Sequence, residues 1–134
     1  MEGRQAVRVA SYLGEQTPLY CTAGGKVFLA YGKEDLIERV VREGFEKHTP
    51  NTITDEAALI AEIKQIRKKG YAFGLEEYGL GSRSVVVPVF DFQQNCIAAI
   101  SLALPLSRSS KKRLREIAKI LMENSQRITS KMML

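Results

Sequence analysis

The sequence predicts an α+β domain in which helices cover an antiparallel sheet. Three observations predict it. Residues 55–69 and 107–128 carry apolar side chains at helical spacing, residues 84–92 and 96–104 are apolar strand-like runs, and only 93–95 separate those two runs, a length that turns a hairpin. The chain has 134 residues, 45% of them hydrophobic and 26% charged, which suits one globular domain able to bury a core without a disulfide or metal. No internal repeat, low-complexity tract or interdomain linker breaks it.

Residues 6–13 are β-branched and apolar with partial alternation, so they read as a first strand that 14–18 break. Thr22 is placed to cap a helix that 26–31 continue until Gly32. A second helix reads from 34 to 43, with Leu36, Ile37, Val40 and Val41 on one face and Gly44 as its stop. Residues 45–53 are polar and contain Pro50, which predicts a loop before Thr54 caps the clearest helix, 55–69. Leu59, Ile60, Ile63 and Ile66 form its apolar stripe, acidic residues open it, Arg67, Lys68 and Lys69 close it, and Gly70 stops it.

Residues 71–78 then read as a strand despite Gly74, and 79–81 as a tight connection. In 84–92 the unbroken apolar run predicts burial on both faces, with a bulge or a local edge at Pro88; 96–104 reads as a second buried strand. Ser107–Ser110 supply caps for a final helix whose inward stripe is Leu114, Ile117, Leu121, Ser125 and Ile128.

The net charge of +5 raises the question of nucleic acid, but Arg108, Lys111, Lys112, Arg113, Arg115 and Lys119 cluster in the last helix without a recognition motif, and such a run ordinarily solvates a helix face. Cys21 and Cys96 lack CxxC spacing and His48 is the only histidine, a pattern that calls for no metal, no cofactor and no disulfide framework, and that fits a reducing cytoplasm. The longest apolar runs are too short to span a bilayer, so no membrane partner is expected.

The segment PLYCTAGGKVFLA, residues 18–30, joins small residues to a helix start, where free N–H groups can hold a carboxylate or phosphate. A plain turn needing Gly24 and Gly25 for steric reasons is the other reading. A P-loop is excluded, since Tyr20 and Val27 stand where its first glycine and its Ser or Thr belong. Cys21, near that helix start, is either a reactive thiolate or a buried filler. Glu76 and Glu77, adjacent on an expected strand, point to opposite faces and suit a structural role, tying Arg83 or a neighbouring basic side chain. Ser101 is either a ligand contact or a buried serine bonded to a backbone carbonyl.

Taken together, PLYCTAGGKVFLA, the Thr52-Ile53-Thr54 helix entry, Arg67 before Gly70-Tyr71, Glu76-Glu77, Gly81, Pro88-Val89 and the Ala98-Ala99-x-Ser101 strand resemble the C-terminal effector-binding domain of IclR-type bacterial transcriptional regulators. The resemblance covers most of residues 4–130 and implies a GAF-like fold enclosing a small-molecule pocket. It implies a non-catalytic domain that senses a small carboxylate-type metabolite, forms a homodimer or tetramer, and reaches DNA only through a separate N-terminal winged helix-turn-helix domain. It also implies that residues 1–134 are a single effector-binding domain lacking the family's opening helix and first strands. An edge left unpaired in that way could be covered by other copies of the chain.

Carried over by position, the pocket would be lined by Ala23, Gly24 and Gly25, by Gly74, by Ser82, Arg83 and Ser84, and by Ser101 and Ala103. Gly74 replaces a familiar acidic residue and Ala103 a second serine, which implies a larger, less polar site. The alternatives are a structural oligomerisation domain with a vestigial pocket, or a small enzyme acting on an anionic metabolite through Cys21 or Ser101; with one histidine, that enzyme lacks an evident base.

Overall fold

The computed structural model describes residues 17–132; the strand expected over 6–13 lies outside them. Four helices, α1 (Ala23–Tyr31), α2 (Asp35–Glu43), α3 (Glu56–Lys69) and α4 (Lys111–Met132), accompany three strands, β1 (Ala72–Gly74), β2 (Ser82–Phe90) and β3 (Cys96–Pro105). The strands form one antiparallel sheet in the order β1-β2-β3.

Alternation along β2 divides the core in two. Val86, with Ala72 of β1, packs beneath α1 and α3 among Val27, Leu29, Leu59 and Ile63, whereas Val85 and Val87 pack beneath α4 against Leu114, Ile117, Ala118 and Leu121. Both faces of β2 are therefore covered, as its continuous apolar run predicts. The sheet lies between α1, backed by α3, and α4.

The helix ends follow local chemistry. Thr22 accepts a hydrogen bond from Gly25 N and caps α1. Asp55 rather than Thr54 caps α3, its carboxylate accepting from Ala58 N at 2.8 Å, and Gly70 closes that helix in the left-handed region at φ 90°. Arg67 does more than complement its own helix: its Nε donates to the Ala30 carbonyl near the end of α1 at 2.8 Å. In the last helix Ser110 accepts from Arg113 N, and the inward stripe uses Ala118, while Ile128 is 42% exposed. Ser125 keeps its inward place by donating to the Pro88 carbonyl at 2.7 Å.

Two expectations about strands are corrected. The strand expected over 71–78 stops at Gly74, because side-chain anchors described below hold 75–81 in a loop in which Glu76 has φ 61°. The run 96–104 is not a second buried strand. Among the described residues β3 pairs only with β2, and Ile97 is 52% exposed with Ala98 and Ala99 also exposed. Periodicity cannot distinguish an apolar strand that is covered from one whose first half is left exposed. The bulge falls between Val89 and Phe90, one residue beyond Pro88, which itself lies past the end of the β1 ladder. Asp91 then organises the hairpin turn by accepting from the N–H groups of Gln93 and Asn95. Those two bonds hold its carboxyl below the usual range, with Asn95 contributing the larger share.

Candidate functional site

The first turn of α1 borders a cleft of about 210 Å³ closed on its other sides by the end of β1, the start of β2 and the 75–81 loop. Gly25 N is used by the Thr22 cap and Lys26 N by the Thr22 carbonyl. Ala23 N and Gly24 N have no protein acceptor among the described residues, as expected at a helix start. The cleft wall combines Thr22 and Ala23 with Gly74, Ser82 and Ser84, and with Glu76, Tyr78 and Leu80 from the loop.

Cross-strand register explains the grouping. Gly74 pairs with Ser84, and Ser84 with Ala103, so the three occupy one row on the α1 side of the sheet. A Cβ on residue 74 would lie 2.3 Å from Ser84 Oγ and 3.4 Å from Ala23 Cβ. The room opened by glycine is thus taken up in part by the Ser84 hydroxyl, which bonds no protein group among the described residues.

Of the residues carried over from the resemblance, Ala23, Gly74, Ser82 and Ser84 come together at the cleft. Ser101 and Ala103 share its face of the sheet, opposite Val86 and Ser84, without lining it. Gly24 is exposed, with open space where a Cβ would stand, whereas Gly25 faces inward: its Cβ would lie 2.5 Å from Leu19 Cα and O. Arg83 points to the other face and donates from Nη1 to the Ser109 carbonyl at 3.0 Å.

Sequence reasoning missed the group that holds the loop wall. Lys26, fully buried, donates from Nζ to Glu77 Oε2 at 2.8 Å and Oε1 at 3.0 Å, to Glu62 Oε2 at 2.8 Å and to the Phe73 carbonyl at 3.3 Å. One ammonium therefore joins α1, α3, β1 and the loop. The partner of Glu77 is Lys26 and not Arg83, and the two glutamates diverge because they sit in a loop: Glu76 Oε2 accepts from Gly81 N at 2.9 Å. The available signal was a lysine on the apolar stripe with Ala23 and Ala30, together with an acidic pair whose partner was unassigned.

A second clamp comes from residues 49–52. Thr49 Oγ1 donates to the Glu76 carbonyl and Thr52 Oγ1 to the Glu77 carbonyl, both at 2.6 Å, while Thr52 Oγ1 accepts from the N–H groups of His48 and Thr49. The His48 ring, on an otherwise exposed residue, meets Tyr78 edge-on at 4.9 Å. Cys21, 2% exposed, lies at the cleft floor, where burial first and then the Glu77 charge push its thiol up to about 11. Near neutral pH it is a thiol, so the reactive-thiolate reading of Cys21 is set aside.

An antiparallel sheet with helices on both faces and a cleft edged by free N–H groups and hydroxyls defines a GAF-like α+β ligand-binding domain. The chain belongs to the IclR family: residues 1–130 match the family model described as bacterial transcriptional regulator IclR C-terminal. It is 38% identical over 128 residues to the HTH-type transcriptional regulator KdgR of Escherichia coli K12, covering 94% of this chain and 48% of that protein. The crystal structure of the C-terminal domain of E. coli KdgR aligns with a TM-score of 0.78 at 36% identity, over 89% of this chain and 73% of that one. The inducer-binding domain of a double mutant of the transcription factor PobR from Acinetobacter, solved with 3-hydroxybenzoic acid, aligns with a TM-score of 0.79 at 28% identity, over 96% and 77% of the two chains. The curated relatives are transcriptional regulators, not enzymes, and this chain spans about half their length.

Proposed function

We propose that residues 1–134 form a single effector-binding domain that receives a small carboxylate-type metabolite in the cleft beside α1. The supporting observation is the pairing of unclaimed donors: Ala23 N and Gly24 N at the positive end of α1, and the Ser84 hydroxyl over Gly74. Among the described residues the cleft lining contains no cationic side chain, so a carboxylate there is held by the helix start and by hydroxyl donors. The PobR domain, solved with an aromatic acid, supports the same class of ligand.

In the full regulator, the bound metabolite favours one arrangement of paired subunits, as homodimer or tetramer, and so alters DNA contacts made by a separate N-terminal winged helix-turn-helix domain in the cytoplasm. Among the described residues, no helix is long and apolar enough to cross a membrane. Thermal unfolding of the chain against keto acids, aromatic acids and sugar acids tests the reading. One class of acid is expected to stabilise saturably, by about 2.7 kcal/mol at a hundredfold excess over Kd. Ser84→Ala is expected to weaken that response. Equal responses of wild type and Ser84→Ala, or silence across the panel, overturn it, the second outcome favouring a structural domain.

A further inference from the structure

Beside β1, a second groove of about 220 Å³ runs between α3 on one side of the sheet and α4 on the other. The two sites have separate linings, Gly74 bordering the cleft and Tyr71 and Phe73 the groove, although Lys26 joins Glu62 of the groove to Glu77 of the cleft. Those two half-buried rings lie side by side, centroids 5.1 Å apart and planes 31° from parallel, forming an apolar wall. Around it stand Lys69 from the end of α3 and Lys111 and Arg115 from the first turns of α4, all exposed. Among the described residues none of the three forms an ion pair or a side-chain hydrogen bond within the protein. The one carboxylate in the groove, Glu62, is already paired through Oε2 with buried Lys26.

We propose that this groove is a second ligand site, for a small planar anion such as a single-ring aromatic carboxylate. Charge complementarity selects the anion, because among the described residues three cations without an ion-pair partner face one compensated carboxylate. The paired rings select a flat apolar body, which stacks on Tyr71 and Phe73 while its carboxylate reaches Arg115 and the lysines. The volume of about 220 Å³ is of the order of a single ring with its carboxylate. The cleft differs in its means: among the described residues no cation lines it, its Glu77 is paired with Lys26 and its Glu76 accepts from Gly81 N, and its donors are the α1 start and hydroxyls.

Titration of the isotope-labelled chain with sodium benzoate and, separately, with inorganic phosphate tests the proposal by NMR. Benzoate is expected to shift the Tyr71 and Phe73 ring resonances saturably. The exposed double variant Lys111→Ala/Arg115→Ala is expected to raise the benzoate Kd at least tenfold, and Lys69→Ala to raise it severalfold. Phosphate binding as tightly as benzoate overturns the planar-anion class and leaves a bare charge patch. Benzoate shifts confined to Gly74 and Ser84 and unaltered in the double variant overturn the second site, as does the absence of saturable shifts at the rings.

Discussion

Replacing Lys26 with methionine keeps the stem's volume and deletes the charge at the centre of the ion cluster. Glu77, only 8% exposed, then loses both bonds from Nζ, and the Phe73 carbonyl loses its side-chain donor; Glu62, 36% exposed, can turn to water. Breaking a buried pair by removing one partner costs about 3–5 kcal/mol, because the remaining charge stays desolvated without compensation. At roughly 3–4 °C per kcal/mol for a domain of this size, the melting temperature falls by roughly 10–20 °C. Urea unfolding followed by circular dichroism measures the loss. In Lys26→Met/Glu77→Leu both charges are absent, so more than half of the lost stability is expected to return, since apolar replacement of a buried ion pair is often neutral. A Lys26→Met loss below about 1 kcal/mol, or a double variant no more stable than the single, refutes the view that Lys26 compensates a buried Glu77.

The paired glycines separate by role. Gly25→Ala drives a Cβ into the Leu19 backbone and is expected to cost about 1–3 kcal/mol, whereas Gly24→Ala, with open space, stays within about 0.5 kcal/mol; equal urea midpoints would contradict this. Thr22→Ala removes the α1 cap at a cost of about 1 kcal/mol, read by the same measurement. The Cys21 thiol is raised from an ordinary value of 9.0 to about 11, so between those values the unfolded chain ionises first and binds fewer protons. Folded stability should therefore fall as pH rises through that window, and fall less in Cys21→Ala; an equal loss in both would count against the assignment. Thr52→Val unties the Glu77 carbonyl, and amide exchange over 75–81 should rise several-fold while β2 stays protected.

Most of the fold was legible because its determinants are local. The α1 cap at Thr22, the glycine stops at 44 and 70, the hairpin at 93–95 and the Leu59, Ile63 and Ile66 stripe of α3 follow from nearby residues, whereas Ile60, read as part of that stripe, is only half-buried outside the core. The candidate site was legible only in part. Resemblance brought Ala23, Gly74, Ser82 and Ser84 to one cleft, but it could not show that Ser84 Oγ occupies the space over Gly74 or that Gly25 serves packing against Leu19. Lys26 escaped because a lysine in a helix is ordinarily solvated, and only two carboxylates 36 and 51 residues away make its burial tolerable.

The sequence alone determined the α+β class, the boundaries of α2 and α3 to within a residue and the family, since caps, periodicity and ordered motifs are written in neighbouring positions; α4, read over 107–128, runs Lys111–Met132. Tertiary structure decided which apolar strand leaves its first half exposed, where the 71–78 segment leaves the sheet, and which charges are buried. Those outcomes depend on what lies across the sheet from a residue, and on whether a distant partner offsets the cost of removing it from water.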